Sequence, residues 1–180
     1  MIEHIDVHAL LRRTVCHLYS DLVTRPTGHA VRRGIEEAVA DRRRDGELAA
    51  LVIDFSQVGL VDHSCADEIV AKLLLDLRAD GRTPYHIVFR GLTAAHLEAI
   101  EPVLEHHGLT MLMEAPCGRL EPVGPLSREA RQVFDALAAG ADRVAAIAER
   151  TGLGEAAAAG ALDELHNRRL LPASLVPGTR

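Results

Sequence analysis

The chain contains no tryptophan, and aromatic residues make up only 3% of it. A stacking platform for single-stranded nucleic acid is therefore not expected, and any core must be aliphatic. Lysine is nearly absent: Lys72 is the one lysine among twenty basic residues, the rest being arginine. Positive charge does not dominate either, because the net charge is -6 at pH 7. That balance argues against a surface that grips phosphate backbones throughout. Cys16, Cys65 and Cys117 are odd in number and far apart, so neither a disulfide framework nor a CxxC metal site is indicated. No apolar run approaches the roughly 20 residues of a membrane span. Residues 1–7 carry neither the basic nor the apolar segment of a secretory signal. These absences lead to the expectation of a soluble, cytoplasmic protein.

What is present is 180 residues of which 48% are hydrophobic, enough for one generous domain or two small ones. A break is expected at residues 115–125, where Pro116, Pro122 and Pro125 alternate with Gly118 and Gly124. Charge changes across it, from a net -6 over residues 1–124 to zero over the remainder. The organisation expected is an α/β domain over 1–114, a linker over 115–125 and a small all-α domain over 126–180.

In the first part, helix-like and strand-like stretches alternate. Asp6 is placed to cap a helix over 7–17, and a short strand over 20–24 ends at Pro26. A helix over 28–44 carries Val31, Ile35 and Val39 at four-residue spacing. Residues 48–55 form an apolar run of the kind found in parallel strands covered by helices. A helix over 64–78, a strand over 85–89, a helix over 93–107 and a strand over 109–113 follow. Gly46, Gly81 and Gly108 supply the stops. After the break the pattern is helical, with segments starting at Ser127, Val144 and Glu155. The first carries Val133, Phe134 and Leu137 inward, and the last two are separated by Thr151-Gly152-Leu153-Gly154, the short turn of a helix-turn-helix.

The stretch Asp54-Phe55-Ser56-Gln57-Val58, followed by Asp62-His63-Ser64-Cys65-Ala66-Asp67-Glu68, resembles the central signature of STAS domains, which include the bacterial anti-sigma factor antagonists. The resemblance covers about residues 18–114 and extends to the element order. It implies an α/β fold in which the turn before the long helix docks a partner, an anti-sigma factor or a kinase-like ATPase. In such antagonists a serine of that turn is phosphorylated by the partner. Asp62 matches the family's aspartate and Ser64 its second serine, while His63 stands where the phosphorylated serine usually lies and Cys65 replaces a glycine. The resemblance thus marks Asp62, His63, Ser64, Cys65 and Asp67 as the docking turn, with Ser64 as its candidate phosphorylation site. Elementary chemistry offers a plainer reading that carries more weight: Ser64 and Asp67 have the S-x-x-D spacing of a helix capping box.

No metal site, cofactor motif or catalytic set is expected. His63 and Cys65 point apart at helical spacing, His4 and His8 lack further ligands, and Gly152-x-Gly154 does not follow a strand. His106 and His107 suit a helix C-terminus. The last two helices resemble the helix-turn-helix core of winged-helix domains. The presumed recognition helix, however, opens with Glu155 and four alanines, which offer nothing for base readout. Arg168 and Arg169 are the candidate phosphate contacts, and a basic strip joining them to Arg128 and Arg131 would favour DNA. With nine residues after Leu171, a full two-stranded wing is not expected. The favoured reading is a non-enzymatic regulator acting through protein contacts, with DNA binding disfavoured. The alternatives are a DNA-binding transcriptional regulator with the STAS-like part as sensor, and an enzyme centred on His63, Ser64 and Cys65.

Overall fold

The computed structural model of the chain describes residues 2–15, 20–45, 48–79 and 85–171, with side chains left out for 42–45. It divides into two compact units, residues 1–124 and 125–180. The elements expected to end at Gly46 and Gly81, like Cys16 and the residues after Leu171, run into positions outside the described residues.

The first unit is built on a five-stranded sheet in the order β1-β2-β3-β4-β5. Strands β1 (Ile2–Asp6), β2 (Ala50–Asp54), β3 (His86–Arg90) and β4 (Met111–Glu114) are parallel neighbours, and β5 (Leu120–Val123) returns antiparallel to β4. Parallel strands laid down in sequence order with crossovers of one hand place every connecting helix on the same face. The side chains agree with this. Leu51, Ile53, Ile87, Phe89 and Met111 point into one core with α1 (Val7–Thr14), α2 (Arg25–Asp45), α4 (Lys72–Ala79) and α5 (Ala94–His107). Val52, Val88 and Leu112 alternate to the opposite face. The apolar run over 48–55 is thus a parallel strand as expected, but the helices of this unit cover only one side of it.

One element was not expected and two expectations are corrected. Residues 2–6 form an edge strand that the pattern does not advertise, because only Ile5 of the five is buried. Residues 20–24 are not a strand: they contribute a single parallel bridge, Leu22 to Val61. Residues 115–125 are not a linker throughout, since they form the turn at Gly118 (φ +79°) and then β5. Proline is admissible there because an edge strand leaves one side of its backbone unpaired. The boundary between the units falls at the end of that segment, between Gly124 and Pro125.

Helix ends follow local chemistry closely. Asp6 caps α1 by accepting from Ala9 N–H at 3.0 Å. Helix α2 begins at Arg25 with Pro26 in its first turn, where a missing N–H costs nothing. Gly28 therefore lies inside the helix and does not start it. Helix α5 stops at Gly108, whose φ of +60° is the left-handed conformation that closes a helix.

The second unit contains α6 (Arg128–Ala138), α7 (Val144–Thr151) and α8 (Glu155–Asn167). Ser127 caps α6, and Gly152 (φ +73°) turns the chain between α7 and α8. Val133, Phe134, Leu137, Ile147, Ala158, Ala161 and Leu165 are its buried residues in these helices, together with Ala130 and Ala136. Helix α8, which the pattern extends to Arg169, ends at Asn167, because Arg169 adopts φ +59° and Leu170 N–H closes back on Leu165 C=O.

Candidate functional site

The turn Asp62 to Asp67 opens a continuous helical stretch on the helical side of the sheet: α3 (His63–Ala66), a π-helical turn (Asp67–Ala71), then α4. Asp62 is extended (φ -90°, ψ 167°) and its Oδ1 accepts two hydrogen bonds, from Cys65 N–H at 2.8 Å and from the Ser64 hydroxyl at 2.9 Å. Asp62 is therefore the cap, and the expected capping box on Ser64 and Asp67 does not form. Extended backbone at Asp62 starts the helix one residue before Ser64, so the aspartate reaches the free N–H groups first. Burial would raise the Asp62 carboxyl, but the hydrogen bonds from Cys65 and Ser64 outweigh it and hold the carboxyl below its ordinary value. Asp62→Ala is expected to cost 1–2 kcal/mol, and Ser64→Ala less than about 1 kcal/mol; urea denaturation of the two variants measures both.

The turn's other members separate. His63 is exposed, Ser64 is half-buried, and Cys65 is fully buried. The Cys65 thiol donates to Thr24 C=O at 3.0 Å. Burial and the neighbouring Asp62 charge push it up to about 12, so it remains a thiol at neutral pH. His63 faces solvent and Cys65 faces α2, so the two do not converge. Among the described residues, no three His, Cys, Asp or Glu side chains gather as a metal-binding group.

Asp67 and Glu68 belong to the π-helical turn, a geometry that often accompanies functional sites, and share Arg25 Nη1. Asp67 joins three elements: its Oδ1 receives His107 Nε2 of α5 at 2.8 Å, and its Oδ2 receives Arg25 Nη1 of α2 at 3.0 Å. Burial opposes the Asp67 charge, and the bonds from His107 and Arg25 prevail, holding its carboxyl low. Glu68 is 3% exposed. It receives Arg25 Nη1 at 2.9 Å and Lys72 Nζ, with Arg32 Nε at 3.5 Å and His29 Nδ1 at 3.6 Å. Its carboxyl is also held low against burial, chiefly by Lys72 and Arg25.

A shallow groove of about 680 Å³ opens beside the turn, with Arg25, His63, Ser64 and Asp67 on one side and Pro102, Val103, His106 and His107 of α5 on the other. Buried His96 of α5 steadies the loop that leads into the turn. Its Nδ1 accepts from Thr93 N–H at 3.2 Å, and its Nε2–H donates to Gly59 C=O at 3.0 Å. Beside the groove, the Leu22–Val61 bridge turns Leu22 and Val61 inward. The pleat therefore turns Val23 and Leu60 outward, and they are 46% and 56% exposed.

Arg25, Glu68, His96 and the groove-lining role of His107 were not legible in the sequence. Their partners on other elements are about forty residues away, and only the Glu68–Lys72 and Thr93–His96 contacts have a local spacing. In the second unit, Arg168 Nε is bound to Glu164 Oε1 at 3.1 Å, and the same carboxylate receives the Ser127 hydroxyl. That hydrogen bond from Ser127, with Arg168 beside it, holds Glu164 low despite partial burial.

Fold and site together define a two-unit chain: an α/β unit with a mostly parallel sheet and a half-open polar groove, followed by a three-helix unit. None of its helices among the described residues is long and apolar enough to cross a membrane. The chain matches no protein-family model, no curated protein and no solved structure.

Proposed function

We propose that this is a non-enzymatic regulatory protein of the STAS type, which binds a protein partner through the Asp62–Asp67 turn. An anti-sigma factor or a kinase-like ATPase is the kind of partner that the resemblance implies. The observation that carries the reading is that Val23 and Leu60, on the two segments joined by the Leu22–Val61 bridge, are both held in solvent, Leu60 close in the chain to exposed His63. Val23 and Leu60 lie within three residues of Arg25 and His63 respectively, and each offers apolar surface to a partner at this edge of the turn. The buried, protonated Cys65 supports a docking turn over thiol chemistry.

The test is affinity capture with the full chain, comparing the natural protein with Leu60→Arg, followed by mass spectrometry. Leu60 is exposed, so the variant folds. The reading expects a protein retained by the natural chain and lost with Leu60→Arg. Identical captured proteins from both chains would overturn it. Stoichiometric phosphate on Ser64 in cells would add the switch to the docking role.

The three-helix unit contributes protein contacts in this reading. The opening face of α8 exposes Glu155, Ala156, Ala157, Ala159 and Gly160, and Arg168 is engaged by Glu164. DNA affinity depends on basic side chains free to neutralise phosphates, so binding at physiological salt is expected to be weaker than about 1 μM and without sequence preference. Fluorescence anisotropy on labelled genomic fragments measures this, and tight, sequence-selective binding would restore the DNA-binding alternative.

A further inference from the structure

The core of the first unit is not filled between α2 and α4. A cavity of about 230 Å³ reaches there to the inner face of the sheet. Its walls are Ile35 and Val39 of α2, Leu73 and Leu77 of α4, Leu51 of β2 and Ile87 of β3, each no more than 7% exposed. Close-packed interiors leave few voids larger than a water molecule. A water settled in this one would need several polar partners, and the wall side chains carry no polar atom. The polar lining among the described residues is Glu36, Asp76 and Tyr85. The two carboxylates are 41% and 66% exposed, which places them at the mouth. Arg32 Nη1 binds Glu36 and lies 3.8 Å from Asp76. The mouth's carboxylates therefore already share a cation, and that cation is already committed.

We propose that this cavity binds an uncharged, predominantly hydrocarbon small molecule of the size of an alkyl-substituted benzene. An apolar cavity of about 150 Å³ is large enough to take up benzene, and the larger volume here leaves room for a short alkyl chain. Removal of the ligand's apolar surface from water supplies the affinity, and mostly hydrophobic walls with a few polar groups are the usual lining of such sites. A carboxylate on the ligand would find no cation among the described lining residues and would meet Glu36 and Asp76 as like charges. An ammonium gains little, because Arg32 already offsets those two groups. The cavity shares no lining residue with the groove beside the Asp62–Asp67 turn, so the proposal stands apart from the docking reading.

The experiment is a titration of the full chain with n-butylbenzene, followed by methyl-resolved NMR, with phenylbutyrate and phenylbutylamine as the charged counterparts. n-Butylbenzene is expected to bind saturably and to shift the methyl signals of the wall residues, leaving those of Val133 and Leu165 in the second unit unmoved. Both charged counterparts are expected to bind more weakly. Val39→Phe sets a ring inside the cavity and is expected to abolish the shifts, with a circular dichroism melt matching the natural protein to show that the variant is folded. Should Val39→Phe fail to fold, the methyl map of the natural chain decides alone. Absence of saturable n-butylbenzene binding, shifts spread over both units, binding unchanged in folded Val39→Phe, or a charged counterpart binding as tightly would overturn the proposal.

Discussion

Glu68→Gln is expected to lower the stability of the first unit by about 3 kcal/mol, the low end of the cost of breaking a buried ion pair by removing one partner. The carboxylate is 3% exposed and sits among Arg25, His29, Arg32 and Lys72. Glutamine keeps the shape but turns an amide donor toward these cations and leaves Arg32, whose side chain is 16% exposed, with only Glu36 and the more distant Asp76 as counter-charges. Lys72 and Arg25 reach solvent at 38% and 55% exposure and can rehydrate, which keeps the loss from being larger. Urea denaturation followed by circular dichroism measures it. The effect has a definite pH dependence. The carboxyls of Asp62, Asp67 and Glu68 are held below their ordinary values in the folded chain. Such groups contribute their full stabilisation above the unfolded carboxyl range and lose it as pH falls through the folded values. The natural protein is therefore expected to lose stability progressively below about pH 4.5. The gap to Glu68→Gln narrows over the same interval, because protonated Glu68 resembles the variant. A gap that stays constant down to acid unfolding would show that Glu68 contributes packing and not charge.

Gly28→Val is expected to cost about 3 kcal/mol, at the upper end of overpacking effects. Gly28 lies inside α2 where that helix crosses the start of α3. A Cβ at this position would fall 2.9 Å from Cys65 Cα and 3.0 Å from Glu68 Cβ. The nearest of these atoms is backbone, so no side-chain rotation relieves the contact and α2 must move away. Alanine would gain about 1 kcal/mol of helical preference over glycine, yet Gly28→Ala is still expected to destabilise, since it introduces the same Cβ. Displacing α2 also draws Arg25 from Asp67. A Gly28→Ala protein more stable than the natural one in urea would show that the two helices have slack to separate.

Much of the architecture is written in short-range pattern. The apolar runs around Ile53, Val88 and Leu112 report parallel strands. Val31, Ile35 and Val39 report the buried face of α2. Asp6, Ser127, Gly108 and Gly152 mark helix ends because a cap or a left-handed turn is a matter of a few adjacent residues. The site was legible as a stretch, Asp62 to Asp67, but its internal roles were not. Ser64 and Asp67 have capping-box spacing, yet Asp62 takes the cap and Asp67 serves an inter-helix ion pair.

Tertiary structure decided the remainder, and for one physical reason: the deciding partner is remote in the chain. β1 and β5 carry little burial of their own and become strands by hydrogen bonding to β2 and β4. Pro122 reads locally as a strand breaker, and only a place on the sheet edge makes it acceptable. Glu68 follows Asp67 in an acidic pair that looks like a solvated helix face; it becomes a buried hub because α2 delivers Arg25 and Arg32 to it from about forty residues away. The sequence by itself determined the helices and the three inner parallel strands, since backbone conformation responds to neighbours. Which charges meet, which glycine must stay small and which histidines line the groove depended on helices α2, α3 and α5 packing on one face of the sheet.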